Sequence, residues 1–212
     1  MAGEVDIANI ALTNLGEAKI VSMTENSERA RLCNLRFPDV RDMILRLHPW
    51  NCTIERAVLS RLADAPAWGF LYQYQLPADC LRVLSIYDLT RTFKIEGGKL
   101  LTDATSVKLK YQKRLEDMTL LDASLVGVMG LRLAWELAEP LTGKTTLKQE
   151  MWGKYERNLM EARSIDASEG SAERVEFNTW LDARLGAYET SWKPIDAPSD
   201  GYPWNITNGV QS

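Results

Sequence analysis

The side chains able to do chemistry are few, and their spacing argues against catalysis. His48 is the only histidine, so neither a multi-histidine metal site nor a triad with a second histidine can be assembled. It sits in His48-Pro49-Trp50 at the end of a helical stretch with no nucleophile motif beside it, which favours a helix C-cap role. Thr142–Thr146 (TGKTT) resembles the end of a phosphate loop. That loop needs a glycine where Ala138 stands, so the match fails. Asp39 and Asp42 read as partners for Arg36, Arg41 or Arg46 rather than as a catalytic pair. Lys108, Lys110, Lys113 and Arg114 surround Tyr111 and could touch phosphates, yet Glu116 and Asp117 follow, and a solvated strand face is the simpler account. Cys33, Cys52 and Cys80 are odd in number and widely spaced without a CxxC pair, the pattern of reduced thiols. Asn51-Cys52-Thr53 and Asn205-Ile206-Thr207 match the glycosylation pattern, which has no meaning without secretion. No catalytic, cofactor-binding or metal-ligating residue is assigned, and the chain reads as a protein that is not an enzyme.

Composition sets the class. The 212 residues are 45% hydrophobic and 25% charged, ordinary values for a globular chain able to bury a real core. A net charge of −4 argues against a broad grip on nucleic acid. The start, MAGEVDIANIAL, lacks a basic region and carries Glu4 and Asp6, so it does not read as a signal peptide. No apolar run approaches a membrane span. The expectation is a protein made in a cytoplasm, with no membrane partner.

The elements are organised around Ser27–Trp50. Ala30, Cys33, Phe37, Val40, Ile44 and Leu47 fall in one helical stripe, which predicts a long helix over 27–48. Ser27 is placed to cap it, Glu28 suits its dipole, and Pro38 predicts a kink or two helices meeting there. Before it, Val5, Ala8, Leu12 and Leu15 predict a helix over 4–15 ended by Gly16; a loop with a short extended piece, AKIVSM, follows. Residues 51–115 read as a small antiparallel β module. Its strands are 51–62, 70–76 and 81–87, then a hairpin over 93–101 turning at Gly97-Gly98, and a half-buried strand around Val107, Leu109 and Tyr111. Helices return over 120–139, ended by Pro140 and Gly143, and over 146–165. Gly127 and Gly130 would permit close helix contact. The fold class is α+β, mainly α: a four-helix bundle with an inserted small antiparallel β module and an extended C-terminal arm.

The core spans residues 1–165 and the arm 166–212. The arm holds eight acidic and three basic residues, a net of −5. Glycines and prolines give it a linker-like composition, yet it carries Phe177, Trp180, Tyr188, Trp192, Tyr202 and Trp204. Aromatic anchors on an acidic arm are what a segment docking on another chain needs.

NIALTNLGEAKIVSM, the Arg- and Leu-rich helix, and LRLHPWNCTIERAVL together resemble the head-to-tail adaptors of short-tailed bacteriophages, the tail tubular protein A family. In that family a short helix with an LxxLGE-like ending leads into a long helix, and a tryptophan opens a strand. The matching residues are Leu12, Leu15, Gly16, Glu17, Trp50 and Asn51, and the resemblance covers residues 4–165. Cys52 stands where such proteins often have Phe. The resemblance implies a virion component: a homo-oligomeric ring of twelve copies in the tail neck, below the portal protein and above the tail nozzle protein. It implies an extended channel for DNA ejection, with DNA passing through the lumen without specific binding, a platform for tail fibres, and synthesis in the host cytoplasm. The competing expectation from the residues is a DNA-binding protein using the first two helices as a helix-turn-helix. The long loop between them and the lack of a compact basic recognition helix count against it.

Overall fold

The computed structural model describes residues 2–87 and 91–169. It is an α+β fold of four helices and two three-stranded antiparallel sheets. The six aromatic residues of the expected arm lie outside the described residues.

Helix α1 (Glu4–Leu15) starts with the Asp6 carboxylate accepting the Gly3 N–H at 2.8 Å. It ends at Gly16, whose φ of 75° lets the Glu17 N–H reach back to the Leu12 carbonyl at 2.9 Å. The expected extended piece after it is irregular chain; Asn9 on α1 holds it through bonds to both the N–H and the C=O of Ile20. Helix α2 (Glu28–Leu47) begins at Ser27, whose hydroxyl accepts the Ala30 N–H at 3.2 Å. It runs through Pro38 as one helix rather than two. Ala30, Cys33, Phe37, Val40 and Ile44 are buried as the stripe requires, but Leu47 is exposed and Leu45 takes the inward place.

The strand expected over 51–62 begins later. A single 3₁₀ turn, Asn51–Thr53, comes first, because the Trp50 carbonyl accepts both the N–H and the hydroxyl of Thr53. Strand β1 is Ile54–Leu59, β2 Tyr72–Gln75, β3 Cys80–Ile86, β4 Phe93–Glu96, β5 Lys99–Thr102 and β6 Val107–Lys113. One sheet has the order β1-β6-β3, the other β2-β5-β4. The hairpin between β4 and β5 turns on Gly97 and Gly98, at φ 56° and 73°, as the glycine pair predicts. Leu59, Tyr74, Ile86, Leu100, Val107, Leu109 and Tyr111 from the two sheets form one apolar cluster. The pairing of Ile54 with Gln112 brings the two ends of the module side by side.

A second 3₁₀ turn, Met118–Leu120, precedes α3 (Ala123–Thr142), so that helix starts three residues later than the apolar pattern suggests. Asp122 caps it, accepting the N–H and the hydroxyl of Ser124. Pro140 does not end it. The helix continues to Thr142 and stops at Gly143, with φ 65°, whose N–H reaches the Glu139 carbonyl at 2.9 Å. Proline removes one ladder bond there, and the Thr142 hydroxyl donates to the Ala138 carbonyl in the same last turn. Helix α4 (Thr145–Ser168) extends past 165, so Asp166 is helical. Helix α3 is central, packing against α1, α2 and α4. Leu125, Val128, Met129, Leu133, Ala134 and Leu137 give it an almost fully buried surface. Of its two glycines only Gly130 makes a close contact: a Cβ there would lie 2.5 Å from Ile10 Cγ2, whereas Gly127 has nothing within 4 Å.

Candidate functional site

The residues that carry the family resemblance gather at joints between elements. Leu12 and Leu15 are buried on α1, Gly16 turns the chain out of it, and Glu17 faces Arg29 at 3.9 Å. Among the described residues Trp50 is the largest fully buried side chain. Its indole N–H donates to the Ile44 carbonyl at 2.9 Å, and its ring meets His48 edge-on at 4.7 Å.

Asn51 and His48 converge on Asp166 near the end of α4. Asp166 Oδ1 accepts the Asn51 N–H at 2.9 Å, Oδ2 lies 3.1 Å from His48 Nε2, and the Asp166 carbonyl accepts the Asn51 amide at 2.7 Å. His48 stands at the C-cap position, but in extended backbone, and its ring bonds to α4 instead of to the carbonyls of its own helix. Those carbonyls are served from the β module. Gln112 Nε2 on β6 donates to Leu45 O at 2.8 Å and also to His48 O. His48 thus occupies the C-cap position that the sequence suggests, while the carbonyls at that helix end are bonded by Gln112 and its ring by Asp166.

Beside this joint, Trp50, Cys52, Leu121, Leu125, Ile165 and Asp166 line a pocket of about 330 Å³. Burial pushes the Cys52 thiol up to about 11, with the Asp166 carboxylate adding to the effect. Burial likewise holds Cys33 at about 11 and raises Cys80, and all three cysteines are free. These thiols stay protonated near neutral pH and are poor nucleophiles.

The charged residues form a small set of ion pairs within and between elements. Asp42 pairs with Arg41 at 2.9 Å as anticipated, and also with Arg114 at 2.8 Å, tying α2 to the chain after β6. Lys113 pairs with Glu55 at 2.9 Å. Lys113 and Arg114, beside Tyr111, thus form ion pairs while their side chains stay about 40% exposed, in keeping with a solvated face. Lys108 remains on the open side of its sheet, its ammonium 5.0 Å from the Tyr87 ring centre. Thr142–Thr146 forms the cap of α3 and the start of α4. At the α3–α4 contact the Arg132 guanidinium lies 4.2 Å from the ring centre of Trp135, with Trp152 and Tyr155 farther out, and bonds Glu136 at 2.9 Å.

Among the described residues no group of three His, Cys, Asp or Glu side chains is placed to hold a metal, and no described helix is long and apolar enough to cross a membrane. Sequence reasoning missed Asp166 and Gln112. Asp166 was legible only as the first acidic residue of the arm, and Gln112 only as the polar step of an alternating strand. The chain matches no known family model and no curated protein sequence.

Proposed function

We propose that the protein is a structural virion component, a ring-forming head-to-tail adaptor that joins a portal to a tail nozzle and extends the DNA channel. The observation that carries this reading is the position of the resembling residues. LxxLGE closes α1, and His48-Pro49-Trp50-Asn51 links α2, the β module and α4. In this reading the four helices act as a wedge-like bundle that packs side by side in a closed cyclic array of twelve. The sheet edges β1, β3, β2 and β4 offer strands for pairing with the next subunit or the nozzle. The acidic arm docks on a neighbouring chain through Phe177, Trp180, Tyr188, Trp192, Tyr202 and Trp204.

Mixing the purified protein with portal rings from the same source tests the proposal, read by sizing and negative-stain imaging. The expected product is a ring stacked coaxially on the portal, lost when Trp180, Trp192 and Trp204 are all changed to Ala. A monodisperse free chain that never joins the portal overturns it.

A further inference from the structure

The outward side of the β2-β5-β4 sheet carries a groove beneath the chain that joins β1 to β2. The register sets Gln73, Leu101 and Lys94 in one row, and Gln75, Lys99 and Glu96 in another. The alternate rows supply Tyr72, Tyr74, Leu100 and Phe93 to the apolar cluster, so the first two rows face away from it.

Residues 63–70 lie across that outward side and are pinned at both ends. The Leu62 N–H donates to the Gln73 carbonyl, and Gln73 Nε2 donates to the Asp64 carbonyl, each at 2.9 Å. At the exit the Leu71 N–H donates to Asp103 Oδ1, also at 2.9 Å. Leu101 is only 8% exposed, although it stands on the outward side. Gly69, at φ 88°, turns the chain between two aromatic residues that end differently: Phe70 is half-buried, Trp68 86% exposed. Trp68, Phe70, Gln73, Lys94, Glu96 and Lys99 line a groove of about 420 Å³. Part of its lining is aromatic, and part is long side chains that end in donors and acceptors.

We infer that this groove is a carbohydrate subsite, taking pyranose rings of a neutral oligosaccharide. A pyranose presents a flat face of C–H groups ringed by hydroxyls. The C–H face suits an exposed indole, which offers broad dispersion contact. The hydroxyls need donors and acceptors side by side; Lys94 and Lys99 donate and Glu96 accepts. Glu96 and Lys99 are directly opposed across β4 and β5, close enough to serve the same ring. The volume lies in the range of small-molecule sites. A protein partner suits the groove less well. It would strip water from Lys94 and Glu96, which are exposed, and desolvated charges are costly unless well paired. Sugar hydroxyls replace those water bonds instead. The pinned backbone keeps Trp68 at the rim without a ligand, which lowers the ordering cost of binding. The inference goes beyond the adaptor reading and does not depend on it.

Saturation-transfer NMR of the full-length chain with cellobiose, lactose and N,N′-diacetylchitobiose, each at millimolar concentration, tests it. At least one disaccharide should bind, with transfer strongest to its ring C–H protons. Trp68→Ala should weaken that binding about tenfold, and Trp68→Phe should restore part of it. Glu96→Gln with Lys99→Gln should weaken it several-fold. Leu71→Ala removes a nearby side chain that is 63% exposed but outside the groove, and should change nothing. Thermal melting of each variant checks that the fold is intact. No transfer to any of the three sugars, full binding by Trp68→Ala, or equal loss in Leu71→Ala overturns the assignment. A change of oligomeric state in Trp68→Ala without sugar binding also overturns it and gives Trp68 to a contact between copies.

Discussion

Asp166 joins three elements through two contacts to its carboxylate and one to its backbone carbonyl. It receives a backbone N–H and faces an imidazole, and its own carbonyl takes an amide from the same Asn51. Its side chain is largely shielded, at 15% exposure, so the loss of the two carboxylate contacts is not recovered from water. Asp166→Ala should lower unfolding stability by about 1–3 kcal/mol, measured as a shift of the urea midpoint at constant slope. Asp166→Asn should cost less, since one oxygen acceptor survives. An unchanged midpoint in the alanine variant would show that the joint contributes nothing. This link was not legible in the sequence, because 115 residues separate Asn51 from Asp166 and no periodicity connects them. Trp50 was legible as an anchor from its size and position after Pro49. Its hydrogen bond to Ile44 depends on how the chain doubles back, which only the fold provides.

At the level of elements, local signals read well and contacts between elements read poorly. The Gly97-Gly98 turn, the Ser27 cap and the Gly16 end of α1 follow from a few adjacent residues and appear as the residues demand. Pro140 misleads because a proline near a helix end removes only one bond, and Gly143 supplies the real stop. The two glycines of α3 are alike in sequence but differ in what lies opposite them. Gly130→Ala should destabilise by about 1–3 kcal/mol, since the added carbon meets Ile10 and must push α1 away. Gly127→Ala has open space and should instead stabilise by up to about 1 kcal/mol through helix propensity. Thermal and urea unfolding of the two variants should give opposite signs. The same sign would mean that α1 and α3 are not in close contact at Gly130.

Across the whole molecule, several carboxylates are held in their charged form by folding. Bonds from the Thr119 and Ser124 hydroxyls and N–H groups lower Asp117 and Asp122 from their ordinary 3.8. The Lys148 ammonium lowers Glu139, and the Val21 N–H with Ser27 lowers Glu25, both from 4.5. Because folding favours the ionised form, this stabilisation is complete above the ordinary carboxyl range. It fades as pH falls through that range towards the lowered values. Urea midpoints should therefore be flat from neutrality to about pH 5 and drop by about pH 3.5; a midpoint that rises on acidification would contradict the assignment. The molecule's layout also has a mechanical side. Residues 170–212 continue from the end of α4, only a few positions beyond Asp166. Tension applied along the chain from that end meets the Asn51 and His48 bonds before it can peel α4 turn by turn. The joint works as a cleat, passing force into Trp50 and, through Gln112, into the β1-β6-β3 sheet, so that the helices are loaded together and not one at a time.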